Sequence, residues 1–183
     1  MKFSFPPHFH YDQEPAMWQN PYEFRMTVKF LESINAKSML EIGTGYGEMA
    51  KYLRNIKNMN VKSIDKAPMG DIHAPKDLFI GDSTTPRAFE WAFENASYGG
   101  YDVVYIDGGH DYKTCYHDYS TYSKLTKKVM IIHDIDGNQI GKYPVEGGPW
   151  AVWNQARFEY RTLEIHAKSP GNCGIGICII GGV

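Results

Sequence analysis

The residues best suited to chemistry begin at Glu41, two positions before three alternating glycines, Gly43, Gly45 and Gly47. Glycine has no Cβ and tolerates positive φ, so a turn of this kind lets the backbone come close to a ligand. Helix-forming residues follow at once, and the first turn of a helix points free N–H groups at whatever binds there. A second apolar stretch ends in Asp65, whose carboxylate can accept hydrogen bonds from both hydroxyls of a ribose. The pattern predicts a nucleoside-bearing cofactor in the N-terminal half of an α/β sheet.

The spacing of the glycines narrows the type of cofactor. The dinucleotide fingerprint is G-x-G-x-x-G, whereas residues 43–47 read G-x-G-x-G, and no Lys-Ser or Lys-Thr ending of a phosphate-binding loop follows. A cofactor without a pyrophosphate is therefore favoured. Glycines also occur in strand-to-helix turns for geometric reasons alone. Glu41 has three roles open to it: it can orient the turn, receive a cofactor ammonium through water, or cap the neighbouring helix or turn.

A second group of polar residues follows two later strands. Asp107, His110 and Asp111 come after one apolar stretch, and His133 and Asp134 end the next. Ligands of open α/β sheets bind beyond the carboxyl ends of the strands, and adjacent strand ends are close in space. These side chains can therefore converge, either to take a proton from a hydroxyl or to bind a hard divalent ion. His133 also has a structural alternative, because the pleat of the strand can turn its ring into the core.

The elements that must position these residues alternate between strands and helices. Strands are predicted at 38–43, 60–65, 78–81, 101–106, 129–133, 160–167 and 174–181. Helices are predicted at 21–35, 47–57, 86–97, 112–125 and 149–157. This alternation predicts a parallel sheet. The last two strands must be antiparallel, because only a short turn around residues 169–172 joins them.

Several segments resemble one known family. Glu-Ile-Gly-Thr-Gly-Tyr-Gly at 41–47 resembles the first motif of class I S-adenosylmethionine-dependent methyltransferases. Tyr-Ile-Asp-Gly-Gly-His-Asp-Tyr at 105–112, Ile-Ile-His-Asp-Ile at 131–135 and Gly-Pro-Trp-Ala-Val-Trp at 148–153 are similar to one branch of it. That branch contains the macrolide-sugar and rhamnosyl O-methyltransferases and the cephalosporin hydroxylase-like proteins. The resemblance covers roughly residues 17 to 182.

The resemblance implies a fold and a cofactor. The fold is a Rossmann-like α/β domain with a mostly parallel seven-stranded sheet, a C-terminal antiparallel strand and helices on both faces. The cofactor is S-adenosyl-L-methionine, with Asp65 on the ribose and Asp82 beside the adenine. Asp82 can equally form a turn and cap within Gly-Asp-Ser at 81–83. The implied cofactor-binding residues are Glu41, Gly43, Gly45, Gly47, Asp65, Asp82 and Asp107.

The branch often carries an acid at the position of Asp107 and two adjacent acids at the next strand end. In this chain the first of those two is His133. Imidazole shifts the preference of a site toward transition metals and also permits a site without metal. Asp107, His133 and Asp134 are thus candidate ligands for Mg²⁺ or another divalent cation. Asp107 and His110 are the candidate catalytic bases.

Length, composition and charge restrict the number of domains, the kinds of partner and the compartment that we expect. The 183 residues, 43% of them hydrophobic, fit one domain at 1–183, with an N-terminal arm and helix at 1–36 and a Rossmann-like core at 37–183. A formal net charge of −2 without a basic run gives no support for a nucleic-acid or membrane partner. The three cysteines have no metal-ligand spacing and read as thiols of a reducing compartment. With no signal-peptide pattern and no apolar run of membrane-spanning length, a cytoplasmic protein is expected.

The resemblance implies O-methyl transfer, and we expect a small hydroxylated acceptor, such as a sugar. Tyr11, Trp18, Tyr143 and Trp150 can wall a pocket for it, or form the contact of a homodimer. Three alternatives stay open. The chain can be a module that binds the cofactor without methyl transfer, a nicotinamide-dependent oxidoreductase, or an enzyme that runs other chemistry on S-adenosylmethionine.

Overall fold

The computed structural model describes residues 19–69, 75–136, 147–167 and 173–181. Its strands are β1 Ser38–Ile42, β2 Asn60–Asp65, β3 Leu78–Ile80, β4 Tyr101–Ile106, β5 Thr126–His133, β6 Arg161–Ile165 and β7 Ile175–Ile179. Its helices are α1 Pro21–Ser33, α2 Glu48–Lys57, α3 Pro86–Glu94, α4 Tyr112–Tyr122 and α5 Pro149–Glu159. Each strand and helix predicted from the sequence is present, with shifted boundaries.

The seven strands form one sheet in the order β3-β2-β1-β4-β5-β7-β6. The pairs β1–β2, β1–β4, β2–β3 and β4–β5 are parallel. Strand β7 runs antiparallel to both of its neighbours, β5 and β6. The predicted fold class is therefore confirmed, including the reversed C-terminal strand.

Helices cover both faces of the sheet. One apolar cluster joins residues of α3, α4 and α5 to one face of the strands, and a second joins α1 and α2 to the other face. Strand β1 shows the alternation that this requires, since Leu40 and Ile42 lie in the first cluster and Met39 in the second. All five residues of β1 are buried, as expected for a central parallel strand.

Local sequence signals explain most of the helix starts. Asn20, Thr85 and Asp111 are N-caps whose side chains accept hydrogen bonds from backbone N–H groups in the first turns of α1, α3 and α4. Two of the shifted boundaries lie where α4 leads into β5. Helix α4 tightens into a 3-10 turn at Ser123–Leu125, and β5 begins at Thr126, three residues before the predicted start.

Some predictions fall on residues outside the described ranges. These are the irregular arm at 1–16 and the pocket-wall residues Tyr11, Trp18 and Tyr143. Trp150 lies on α5 and is 47% exposed. It is not among the described residues that line the cleft bordered by the glycine turn, Asp65 and Asp107. None of the helices in the described ranges has the length and apolar character needed to cross a membrane.

Candidate active site

The glycine turn lies between β1 and α2, and each of its three glycines adopts a left-handed φ. The φ angles are +83° at Gly43, +52° at Gly45 and +73° at Gly47. At Gly43 the space is also closed, because a Cβ there would lie 2.1 Å from the carbonyl oxygen of Asp107. At Gly45 an added Cβ would meet only Met69 Cε, at 3.7 Å. Gly43 thus lets the loop after β4 pack against the turn, while Gly45 borders open space in the cleft.

Asp65 at the end of β2 holds the glycine turn in place. Its Oδ2 accepts hydrogen bonds from the backbone N–H groups of Thr44, at 2.8 Å, and Gly45, at 2.9 Å. Its Oδ1 accepts one from the N–H of Ala67, at 2.7 Å. Asp65 therefore holds the backbone of the turn, a structural role that the sequence did not predict. Contact of its remaining lone pairs with a ribose stays a prediction.

Asp65→Asn is expected to weaken binding of the cofactor product S-adenosylhomocysteine at least about tenfold, because an amide cannot accept hydrogen bonds at both of its polar atoms. The free energy of unfolding should fall by about 1–3 kcal/mol, as for loss of charge-assisted hydrogen bonds. Calorimetry and urea denaturation measure the two effects. Asp102→Asn is the matched control, since Asp102 also holds a backbone N–H, that of Lys37, away from the cleft. Equal loss of affinity in both variants would contradict the assignment.

Glu41 is a buried acid beneath the turn. It is 2% exposed, and its Oε2 accepts a hydrogen bond from Ser63 Oγ at 2.8 Å. Burial raises its pKa from 4.5 to about 7, against the lowering effect of hydrogen bonds from Thr44 and Ser63. Of the three roles open to Glu41, orientation of the turn fits its contacts with Thr44 of the turn and Ser63 of β2. Contact with a cofactor ammonium stays a prediction.

The raised pKa of Glu41 predicts a stability that falls with rising pH. The folded protein keeps a proton that the unfolded chain releases, so the stabilisation is fully present below about pH 4.5 and is lost as the pH rises through about 7. Asp118, whose pKa burial raises to about 7, acts in the same direction. We expect Glu41→Gln to flatten the decline between pH 5 and pH 8. Urea midpoints at four pH values measure it; parallel curves for the two proteins would contradict the expectation.

Asp82, after β3, makes the turn and cap contacts that its sequence context allows. Its Oδ1 accepts hydrogen bonds from the N–H and hydroxyl of Thr84, and its Oδ2 pairs with Lys66 at 2.9 Å. The hydrogen bond from Lys66 and those from Thr84 lower the pKa of Asp82. The side chain also lines the cleft, so its predicted place beside an adenine is open to it.

The loops after β4 and β5 bring together Asp107, His110 and Asp134, as adjacent strand ends predict. One ligand atom from each of the three lies within 4.8 Å of the others. Nε2 of His110 lies 2.8 Å from Oδ2 of Asp134 and 4.0 Å from Oδ1 of Asp107. Asp134 has a left-handed φ of +60°, which costs energy in a non-glycine residue and is concentrated at functional sites. Asp111, by contrast, is the N-cap of α4.

His133 is buried, as the structural alternative predicted, and it also contacts the two carboxylates of this cluster. Its ring is 4% exposed, yet its Nδ1 is 3.1 Å from Asp107 Oδ1 and 3.4 Å from Asp134 Oδ2. Burial lowers the pKa of the imidazole, but the charge and hydrogen bonds of the two carboxylates outweigh it and raise the pKa to about 10. A protonated His133 therefore neutralises part of the negative charge where a metal is predicted. The ligand set Asp107, His133 and Asp134 stays a prediction.

A cleft of about 950 Å³ connects these groups, a volume at the upper end for small-ligand sites. Its lining includes the glycine turn, Asp65, Asp82, Asp107 and His110. The cofactor-type residues and the acid–base residues thus border one continuous space, beyond the carboxyl ends of β1, β2, β3, β4 and β5.

Solved structures share this architecture, among them the following two. The O-methyltransferase from Bacillus cereus, solved with S-adenosylhomocysteine, matches with a TM-score of 0.62 and 16% identity over 91% of this chain and 84% of that one. TomG, an O-methyltransferase from Streptomyces achromogenes involved in tomaymycin synthesis and solved with S-adenosylmethionine, matches with a TM-score of 0.64 and 13% identity over 92% and 83%. The chain has the class I methyltransferase fold.

Structural matches at 13–16% identity establish the fold alone. Any activity depends on the side chains in the cleft. No protein-family model and no curated protein matches the chain.

Two residues next to Asp107, Gln19 and Tyr105, were not predicted from the sequence as part of the site. Gln19 precedes α1, and its Nε2 donates hydrogen bonds to Tyr105 Oη at 2.9 Å and to Asp107 Oδ2 at 3.2 Å. Tyr105 is 1% exposed, and burial together with the charge of Asp107 raises its pKa. Tyr105 begins the segment 105–112 that is similar to the branch, but no sequence signal gave a role to Tyr105 or to Gln19.

Proposed function

We propose that the chain is an S-adenosylmethionine-dependent methyltransferase that methylates a hydroxyl oxygen of a small acceptor. The observation that carries the proposal is the single cleft that joins the glycine turn and Asp65 to Asp107, His110 and Asp134. The solved O-methyltransferases with the same fold support it, since the two compared above are bound to S-adenosylmethionine or its product.

The residues present fit such a cofactor. The turn offers three left-handed glycines and an unobstructed position at Gly45, and Asp65 lies directly below it. When bound, S-adenosylmethionine supplies a methyl group activated by a positively charged sulfur. Transfer of that methyl to an oxygen is an in-line displacement in which alignment supplies much of the rate. The protein's part is therefore to hold both reactants in line and to remove the hydroxyl proton.

Asp107 and His110 are the two candidate acceptors of that proton. His110 is paired with Asp134 at 2.8 Å, an arrangement in which a carboxylate orients an imidazole base. Asp107 accepts a hydrogen bond from Gln19 Nε2 at its Oδ2, and its Oδ1 lies 3.1 Å from His133 Nδ1. Either residue can accept the proton as the new oxygen–carbon bond forms and the sulfur–carbon bond breaks, so that charge and atoms balance.

A divalent cation at the same cluster is the alternative way to activate the hydroxyl. Two carboxylates and an imidazole converge there, a donor set suited to a hard or borderline ion. Asp107, His110 and Asp134, with His133 behind them, would hold it. The cation would lower the pKa of an acceptor hydroxyl bound to it.

The test is a methyl-transfer assay against a panel of small sugars and phenols, following S-adenosylhomocysteine release and the mass of the product. Each acceptor is assayed with EDTA and with added Mg²⁺ or Mn²⁺. An acceptor that gains one methyl group supports the proposal, and the metal dependence separates the two activations of the hydroxyl. Tight cofactor binding without transfer to any acceptor would favour the binding module.

A further inference from the structure

Glu23, on α1, is a fully buried acid that the proposed function does not use. Its Oε1 accepts hydrogen bonds from the backbone N–H groups of Ala167, at 3.0 Å, and Gly174, at 3.1 Å. Its Oε2 accepts one from the N–H of Cys173, at 3.2 Å. A carboxylate has about four lone-pair sites, so Oε2 keeps an acceptor position beyond these three bonds. Glu23 thus brings a carboxylate oxygen to the segment just before β7.

Three buried side chains of different types converge in this region. Glu23, His133 and Cys173 each offer one ligand atom, and these atoms all lie within 4.8 Å of one another. The three residues come from α1, the end of β5 and the segment before β7, and none is more than 6% exposed. The fold therefore builds an enclosed group with one oxygen, one nitrogen and one sulfur donor. Cysteine spacing does not reveal such a group, because only one cysteine takes part.

The ring of His133 divides its two nitrogens between this group and the carboxylates of the cleft. Nδ1 lies 3.1 Å from Asp107 Oδ1 and 3.4 Å from Asp134 Oδ2. This leaves Nε2 for Glu23 and Cys173, and Nε2 is buried without a hydrogen-bond partner among the described residues. A buried ring nitrogen in that state costs its desolvation penalty, so it points to a ligand. Metal-bound histidines donate their other N–H to a carboxylate, and Asp107 is placed to accept it.

The donor set indicates the kind of ion. Thiolate, imidazole and carboxylate are the ligands of Zn²⁺, whereas Mg²⁺ takes oxygen ligands. Zinc bonds of about 2.0–2.3 Å place the ligand atoms of a tetrahedron about 3.5 Å apart, so the three side chains need to close in by about 1.3 Å at most. Three protein ligands leave a fourth position for water. His133 and Cys173 both line the cleft, which gives an ion a path to the site.

We propose that Glu23, His133 and Cys173 bind one Zn²⁺ ion in the wall of the cleft, through Oε2, Nε2 and Sγ. This site has a sulfur ligand and is distinct from the candidate cation cluster that contains Asp107 and His110. Binding releases the protons of the thiol and of Nε2 to solvent and leaves the Nδ1–H of His133 directed at Asp107. The ion joins α1 to β5 and to the start of β7, and it fixes the orientation of the His133 ring.

Titration of the chelator-treated full chain with Co²⁺ tests the site, since Co²⁺ replaces Zn²⁺ and absorbs light. We expect one Co²⁺ per chain with the charge-transfer absorption of a thiolate–cobalt bond, and loss of this absorption when one equivalent of Zn²⁺ is added. Cys173→Ala should remove the absorption. It should also weaken Zn²⁺ binding, measured by competition with a chromophoric chelator, at least about 100-fold, the upper end of the loss when a group that only supports a ligand is removed.

Two matched controls locate the ion. Cys178→Ala removes another buried thiol, within β7, and should keep the absorption. His110→Gln removes the imidazole of the neighbouring cluster and should also keep it. Thermal unfolding checks that each variant is folded, and Cys173→Ser replaces the alanine variant if that one is not.

A folded wild type without thiolate–cobalt absorption overturns the inference. So does an absorption that persists in the Cys173 variant or that is lost in either folded control. Because no S-adenosyl compound and no acceptor is added, failure of this test leaves the proposed function standing, and failure of methyl transfer leaves this site standing.

Discussion

Asp107→Ala is expected to abolish methyl transfer and to leave the Kd for S-adenosylhomocysteine within a few-fold of the wild type. The carboxylate lies where the loop of β4 meets that of β5, 3.1 Å from His133 and within the cluster of His110 and Asp134. Under the proposed function, Asp107 would act either as the base that accepts the hydroxyl proton or as a ligand of the cation. Loss of a positioned acid–base group costs about 10²–10⁴ in rate. Single-turnover kinetics and calorimetry measure the two quantities.

Asp111→Asn is the matched control for this prediction. Asp111 belongs to the same loop, but its Oδ1 accepts a hydrogen bond from Thr114 N as the N-cap of α4. Asparagine is as good an N-cap as aspartate, so the substitution removes a charge from the loop and keeps its structure. Turnover should stay within a few-fold. A fully active Asp107→Ala protein would show that Asp107 is not part of the reaction.

Gly43→Ala is expected to lower the free energy of unfolding by about 2–4 kcal/mol and to remove measurable cofactor binding. Two costs add at this position. The φ of +83° strains any residue with a Cβ, and that Cβ would lie 2.1 Å from the Asp107 carbonyl oxygen and 2.7 Å from Gly108 Cα. Relief requires the turn and the loop after β4 to separate, which would displace Asp107 itself. Urea denaturation and titration with S-adenosylhomocysteine measure the effects.

Gly99→Ala separates strain from steric overlap. Gly99 has a similar φ of +77°, but an added Cβ there would meet no atom within 4 Å. It lies in the tight connection before β4, away from the cleft, so only the conformational cost of about 1 kcal/mol is expected, with cofactor affinity unchanged. Equal destabilisation of the two variants would mean that the close packing of the turn against Asp107 is unimportant.

The fold and the position of the cleft were predictable because they follow from local patterns. Strands that end at Asp65 and His133, and one that ends just before Asp107, alternate with helices, and a parallel sheet places such ends at one edge. The lengths of the loops also fixed the reversal of β7. The glycine turn could be located from its spacing alone, and the left-handed φ at all three glycines is the reason for that spacing.

The pairing of side chains inside the cleft was not predictable to the same degree. The approach of His110 to Asp134 depends on a left-handed φ at Asp134, and residue type does not predict such a φ at an aspartate. Gln19 contacts Asp107 across 88 positions of sequence. Asp65 was interpreted as a ribose ligand, and its bonds to Thr44 and Gly45 depend on how closely the turn folds over β2.

Calorimetric titration tests most directly whether the cleft binds S-adenosylmethionine. S-adenosylmethionine and S-adenosylhomocysteine are titrated into the protein with and without Mg²⁺, with NADH as the control for a nicotinamide-dependent enzyme. We expect one site per chain with micromolar Kd for both sulfur compounds and no binding of NADH. Binding of NADH alone, or of none of the three to a protein shown by its thermal transition to be folded, would contradict it.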